Sequence, residues 1–453
     1  MVAVPRIVVA GTHSGVGKTT VAIGLMSAFS SRGLRVAPFK VGPDFIDPSY
    51  HTLAAGRPGR NLDAFLSGPE MIGPLFAHGA QGADIAIVEG VMGLFDGKSG
   101  GGELASTAHV AKLLDAPVVL VVDARAMARS VAAMVHGYRT FDPQLNVSGV
   151  VLNRVGSRAH EYMLRDALKP LHLPVLGVVR RGGQIHTPER HLGLVPVAER
   201  SAEARRSLDA LGTVVSDSIN LDEVLKLARS SEPLNVVPWS PESAQPDPAG
   251  NIRVAVAAGP SFSFLYRENT ALLEAAGAEV VTFDPTSDEA LPGGTDALYL
   301  GGGFPETYAE ALSANAGMRE SVRDFARGER PVVAECGGLL YLASELDGHP
   351  MCGVLDATAR MTERLTLGYR EAFALADSPL ARAGAEVRGH EFHYSTIEPG
   401  AGEWPAWNLA GRGPEGFVAG GVHASYLHTH WAATPELPRR LVRAARRAVE
   451  AGV

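Results

Sequence analysis

The chain has 453 residues, 46% of them apolar and 20% charged, with a formal charge of −8 and two cysteines. This length is too great for one ordinary core and points to two domains or three. The acid excess and scattered basic residues speak against a nucleic-acid surface, two thiols exclude a disulfide framework, and no apolar run approaches the roughly 18 residues that cross a bilayer.

The N-terminus lacks the basic flank and long apolar core of an export signal, so a cytoplasmic protein without membrane association is expected. Its apolar run, Arg6 to Ala10, reads instead as a strand feeding Gly11-Thr12-His13-Ser14-Gly15-Val16-Gly17-Lys18-Thr19-Thr20 and then the apolar-periodic Val21 to Met26. Strand, glycine loop and helix in that order make a phosphate cradle: backbone N–H groups turn inward on a nucleotide, Lys18 places charge near the β/γ oxygens, and the Thr19 hydroxyl is placed to ligate Mg²⁺. Five residues separate Gly11 from Gly17, one more than in the common form of this loop. Thr12, Gly15, Gly17, Lys18, Thr19 and Thr20 are therefore assigned to ATP.

The helix is expected to end near Ser31, and a second strand to close at Lys40 before Pro43-Asp44-Phe45-Ile46-Asp47-Pro48. Lys40, Asp44 and Asp47 would face the ligand crevice at the carboxyl end of a sheet, although composition alone also allows a solvated turn. Asp84 to Glu89 is a strand ending in an acid and followed by Gly-Val-Met-Gly-Leu-Phe-Asp96-Gly. Glu89 stands where a phosphate-loop enzyme holds Mg²⁺. Valine-rich runs ending at Asp123 and Asn153, separated by helical stretches, imply a parallel sheet buried on both faces. Asn153 reads either as an adenine-recognising amide or as a helix cap. After a strand at Pro174 to Val179 comes a charged, proline-bearing segment, Arg180 to Glu199, and a helical tail to about Ser231.

Five prolines between Glu232 and Asn251 mark a linker. The expected organisation is thus a domain over 1–231, a linker over 232–250 and a second domain over 251–453. Strands at Ile252 to Ala258 and Glu279 to Phe283 bracket a helix beginning at Asn269. Ala297 to Leu300 runs into Gly301-Gly302-Gly303, whose N–H groups are open to a developing oxyanion, and a helix is expected from about Glu306 to Arg327. Arg330 to Glu335 then breaks at Cys336-Gly337-Gly338 into a helix, the nucleophile-elbow geometry with a thiol in place of a hydroxyl, where the helix N-terminus favours thiolate. Cys352 lacks such a turn and is assigned to packing. A proton acceptor is expected among His423, His428 and His430, with 428 and 430 on one face if the segment is extended. The cluster His390-Glu391-Phe392-His393 fits no strong metal signature and is assigned to substrate or interface contacts.

Taken together, Gly11 to Thr19, Pro38 to Pro48, Glu89 to Gly97, Gly301 to Glu306, Ala334 to Gly338 and Gly389 to Ser395 resemble the motifs of the cobyrinic and hydrogenobyrinic acid a,c-diamide synthase family, in order and over essentially the whole chain. The first half is similar to dethiobiotin synthetase and the second to class I glutamine amidotransferases. The resemblance implies an α/β protein: a phosphate-loop, doubly wound parallel-sheet domain followed by a flavodoxin-like amidotransferase domain. It also implies ATP with Mg²⁺, glutamine and a carboxylate-bearing corrinoid as its small-molecule partners, and it allows a homodimer. The family's nucleophile falls on Cys336 and its assisting histidine on His428, with His430 the second choice. Thr19, Glu89 and Asp44 become metal-side residues; Lys40, Asp47, Asp96, His390 and His393 become substrate or orientation candidates; Gly302 and Gly303 become the oxyanion site. His430 occupies the place of the orienting glutamate that follows the histidine in the wider amidotransferase pattern, so a Cys–His dyad is implied rather than a triad. Another tetrapyrrole amidase shares the architecture, whereas a partition-type ATPase switch would carry a second lysine where His13 stands.

Overall fold

The computed structural model describes residues 1–181, 201–243 and 252–452. The charged segment from Gly182 to Glu199 and the linker residues from Ala244 onward therefore lie outside the described residues. The chain divides into two compact units, Met1–Trp239 and Ser240–Val453. Residues 232–239, expected in the linker, belong to the first unit: Val2 and Leu234 exchange backbone hydrogen bonds of 2.8 and 2.9 Å, and Trp239 donates its N–H to Pro74.

In the first unit strands and helices alternate as β1 (Arg6–Gly11), α1 (Lys18–Ser31), β2 (Val36–Val41), α2 (Ile46–Ala55), β3 (Arg60–Leu62), α3 (Pro69–Gly79), β4 (Ile85–Glu89), α4 (Thr107–Leu113), β5 (Val118–Asp123), α5 (Ser130–Thr140), β6 (Val147–Val155), α6 (Arg158–Leu168) and β7 (Val175–Arg180), followed by α7 (Ser201–Ser218) and α8 (Leu221–Ala228). The sheet runs β3-β2-β4-β1-β5-β6-β7, and every ladder in it is parallel. Helices on both faces explain the unbroken valine runs, since neither side of a central strand meets water. Leu211 and Val215 of α7 join Ile7, Val21 and Phe29 in one core. The sequence showed only a turn where α2 begins. The Asp44 carboxylate starts the helix by accepting the N–H of Ile46 at 2.7 Å, and Pro48 falls in the first turn, where its missing N–H costs no helical bond.

In the second unit come β8 (Ile252–Ala257), α9 (Arg267–Ala275), β9 (Ala278–Phe283), β10 (Ala297–Leu300), α10 (Ala309–Ala314), α11 (Ala316–Arg327), β11 (Val332–Glu335) and α12 (Gly337–Leu342). Short strands β12 (Glu345–Leu346) and β13 (His349–Pro350) precede a long ribbon, β14 (Thr358–Ala374) with β15 (Glu386–Glu398). The chain then forms β16 (Trp407–Leu409), β17 (Gly413–Glu415), β18 (Phe417–Ala419), β19 (Val422–Ser425), β20 (His428–Thr429) and α13 (Glu436–Ala451). The central sheet runs β18-β19-β11-β10-β8-β9, with β11 between β10 and β19. The single helix expected over 306–327 is two. Asn315 breaks it because its amide donates to the carbonyls of Pro285 and Asp288 while its oxygen accepts from Met318 at the start of α11.

Candidate active site

Strand register in the first unit brings the charged residues together. β4 lies between β1 and β2, so Glu89 pairs with Val9 on one side and with Lys40 on the other, directly beside the loop that leaves β1. Gly17 enters α1 at φ +93°, a conformation that a side chain disfavours, and the turn buries Lys18 to 7% exposure. The Asn153 amide donates to the carbonyl of Val16 at 2.8 Å and its oxygen accepts the N–H of Arg154. Asn153 thus grips the back of the loop. Tyr138 donates to the carbonyl of Thr12, and His13, Ser14 and Gly15 form the exposed crest.

Glu89 is wholly buried and takes three donors: the Thr19 hydroxyl at 2.5 Å, the Lys40 ammonium at 2.9 Å and His51 Nε2 at 2.6 Å. Lys40 also reaches Asp47 at 2.5 Å. Burial alone would neutralise these groups, but the charges answer one another. Lys40 and His51 hold the Glu89 carboxyl far below its usual range against that burial, and Asp47 and Glu89 hold Lys40 charged. Asp47 itself is pushed up, first by burial and then by Asp44 and Glu89. Lys18 is lowered by burial and by Lys40, with Glu89, Asp47 and Asp96 acting against that. Asp96 accepts the N–H of Gly93 at 3.0 Å, and one oxygen of Asp44 is engaged at the start of α2. His51 was not singled out in the sequence. Its signal was its place four residues after Asp47, which puts both on one helical face once α2 is recognised.

In the second unit Cys336 ends β11 at φ +47°, a strained conformation for a residue with a Cβ, and stands as the cap of α12. Because Leu300 pairs with Ala334, the Gly301–Gly303 loop leaves the sheet beside the cysteine: a Cβ built on Gly337 would lie 2.9 Å from the N of Gly303. The other side of the loop carries the histidine, for a Cβ on Gly302 would lie 2.3 Å from His428 Cε1. The Gly302 N–H is donated to the carbonyl of Phe264 at 3.2 Å. The Gly337 N–H meets the Cys336 thiol, and the backbone N of Gly303 lies close to Gly337. Burial, with Glu306 adding to it, holds the thiol well above its ordinary range, and the Gly337 N–H opposes this only weakly. The thiolate expected at the helix N-terminus is opposed here by burial, and α12 is only six residues long.

The three candidate histidines separate. His423, within β19, contacts Ser378 at 3.0 Å. His428 stacks on His390 with ring centroids 4.9 Å apart, and burial lowers it to about 3. His430 lies 3.6 Å from Glu268, so 428 and 430 serve different surroundings, the extended segment ending at Thr429. His390 also bonds the hydroxyl of Tyr266 at 3.0 Å. His393 stacks on Tyr426 at 3.8 Å, beside Glu391, which pairs with Arg370. Cys352 is completely buried. The residue sequence reasoning missed here is Glu335, a polar end to an apolar strand just as Glu89 is.

The model of the CobQ/CobB/MinD/ParA nucleotide binding domain matches residues 7–195, and that of the CobB/CobQ-like glutamine amidotransferase domain matches residues 253–436. A hydrogenobyrinate a,c-diamide synthase of Streptomyces coelicolor is 57% identical, with 97% of each chain covered. One of Mycobacterium tuberculosis is 52% identical, again with 97% of each covered. A cobyrinate a,c-diamide synthase of Syntrophotalea carbinolica is 45% identical over 97% of this chain and 98% of the relative. With a nucleotide-binding unit and an amidotransferase unit in this order, and with relatives this similar over nearly their whole length, the chain belongs to the cobyrinate and hydrogenobyrinate a,c-diamide synthase family.

Proposed function

We propose that this chain converts two side-chain carboxylates of a corrinoid acid, a and c, to amides in cobalamin biosynthesis, with hydrogenobyrinate as the acid. The relatives named for that cobalt-free substrate are 57% and 52% identical, against 45% for the one named for cobyrinate. The enzyme is an ATP-using, glutamine-dependent amide ligase. The observation that carries the reading is the presence in one chain of a buried loop lysine beside a strand-end glutamate and a strained cysteine beside a glycine loop that touches a histidine.

A carboxylate resists ammonia at neutral pH, so it is first made an acyl phosphate by transfer of the γ-phosphoryl group of ATP. The amides of the 11–19 loop and Lys18 hold the phosphates in line, where positioning and charge do most of the work. Lys40, kept cationic by Asp47 and Glu89, adds positive charge at the same end of the sheet. The hard oxygen donors of Thr19 and Glu89, already in contact, suit Mg²⁺, which would neutralise phosphate charge there. Asp44, Asp47 and Asp96 orient the acceptor and its surroundings. In the other half-reaction Cys336 passes its proton to His428 and attacks the glutamine amide carbon. The oxyanion is met by N–H groups at Gly303 and Gly337, the proton goes to the departing ammonia, and water then releases glutamate from the thioester. Ammonia attacks the acyl phosphate and phosphate leaves. We place these reactions in the cytoplasm, where ATP and glutamine are supplied; among the described residues no helix is long and apolar enough to cross a membrane.

The test is a split phenotype followed by mass spectrometry, which counts one mass unit lost per carboxylate amidated. Cys336→Ala should lose glutamine-driven product and keep product formation with an ammonium salt, whereas Lys18→Ala should lose both. A folded Cys336→Ala protein inactive with ammonium would overturn the division of labour.

A further inference from the structure

β20, the segment that carries His428, is only two residues long. It pairs with β15 at His390↔His428 and Gly389↔Thr429 alone. Two rungs of ladder specify register weakly, and a slip of one residue would turn His428 to the opposite face. Something else must hold it.

That role falls to a closed set of side-chain bonds centred on the residue preceding the nucleophile. One oxygen of Glu335 accepts the Thr429 N–H at 3.2 Å and the Thr429 hydroxyl at 2.7 Å. Its other oxygen accepts the Tyr299 hydroxyl at 3.1 Å. Asn269 then closes the set: its amide donates to Tyr299 at 3.2 Å and to the Thr429 carbonyl at 2.9 Å, and its oxygen accepts the N–H of Trp431 at 2.9 Å. The Trp431 indole donates to the Thr429 hydroxyl at 2.8 Å. Thr429 is therefore gripped at its N–H, its carbonyl and its hydroxyl. Among the described residues the hydrogen-bond partners of Glu335 are all neutral, and a buried carboxylate without a cation is costly. An apolar residue would fill the same space at less cost, so stability alone does not account for an acid here.

We propose that Glu335 is a positioning residue for glutamine hydrolysis: through Thr429 it fixes the strand of His428 to the strand of Cys336. His430 stands where the wider amidotransferase pattern has a glutamate orienting the histidine directly. Here the acid sits on the nucleophile's own strand and acts on the backbone that bears the histidine. This rests on the assignment of Cys336 and His428 given above.

The experiment uses the full chain and measures kcat and KM for glutamine, product formation with ammonium salt, and thermal unfolding. Thr429→Val, which removes the hydroxyl and keeps the shape, should lower kcat at least tenfold with KM within threefold and ammonium-driven synthesis within twofold. Thr429→Ser should recover kcat to within threefold of the parent. A folded Thr429→Val protein with kcat within twofold, or with ammonium-driven synthesis falling in parallel, overturns the proposal. Should Thr429→Val not fold, Glu335→Gln decides: an unchanged kcat overturns the proposal, and a fall in kcat at constant KM supports it. Cys336→Ala run alongside separates the two readings, because glutamine-driven synthesis persisting in that variant would sink the assignment of the nucleophile itself.

Discussion

The two units each bury a glutamate at the end of a central strand, and they treat it in opposite ways. Glu89 is met by the Lys40 ammonium and by His51, which keep it ionised in spite of burial. Glu335 is met by two hydroxyls and a backbone N–H, and burial pushes it up to about 7. The difference matches the tasks proposed for the two sites. A phosphate site needs fixed charges of both signs, each made tolerable by its neighbours. Under the roles proposed above a single proton passes from sulfur to imidazole, and Glu335 ionised would hold the Cys336 thiol up still further.

The comparison is broken most directly by removing each acid. Glu89→Ala removes one of the two carboxylates paired with the buried Lys40, and should cost about 3–5 kcal/mol in denaturant unfolding, with synthesis lost from both nitrogen sources. Glu335→Ala leaves neutral donors unmet and should cost about 1–3 kcal/mol; an equal loss in the two variants would erase the contrast. Next in size is Gly302→Ala. Its Cβ would sit 2.3 Å from His428 and displace the ring, so glutamine hydrolysis should fall about 100-fold while ammonium-driven synthesis persists.

The pH dependence of stability separates the acids further. The pKa of Glu335 is raised in the folded state from 4.5 to about 7, so the stability it contributes is complete below 4.5 and is lost as pH rises toward 7. Glu89 is depressed, so its contribution is present above 4.5 and is lost as pH falls below that value. Glu335→Gln should therefore flatten the decline in unfolding free energy between pH 4.5 and 7 and leave the acid limb in place. The smallest effect is at Asp44. Asp44→Ala should cost about 1 kcal/mol through the start of α2, and Asp44→Asn, which keeps the acceptor, should restore stability. If Asp44→Asn raises the Mg²⁺ concentration needed for half-maximal synthesis, the carboxylate serves the metal as well as the helix.

Much of this chain is legible one residue after another. The strand, glycine loop and helix around Lys18, the apolar runs of the parallel sheet, the turn at Cys336 and the proline-rich junction are all local patterns, because backbone geometry over a few residues depends on those residues. Placing Lys40, Glu89 and Lys18 at one end of a sheet also followed from the rule that such strands present their carboxyl ends to a ligand. The partners of those groups were not legible. His51 meets Glu89 only because α2 forms over a turn-like sequence, and Glu335 meets Thr429 across 94 residues of chain. Which of three nearby histidines meets the Gly301–Gly303 loop depended on where the two-residue β20 ends, and the pKa directions of Cys336, Glu335 and Glu89 on what surrounds them after burial. Residue type and spacing thus determined which chemistry this protein carries and in what order along the chain. Tertiary structure alone decided which groups raise or lower each buried acid and thiol and which side chains bond Thr429 beside the histidine, because desolvation and hydrogen bonding act through neighbours in space that sequence distance does not reveal.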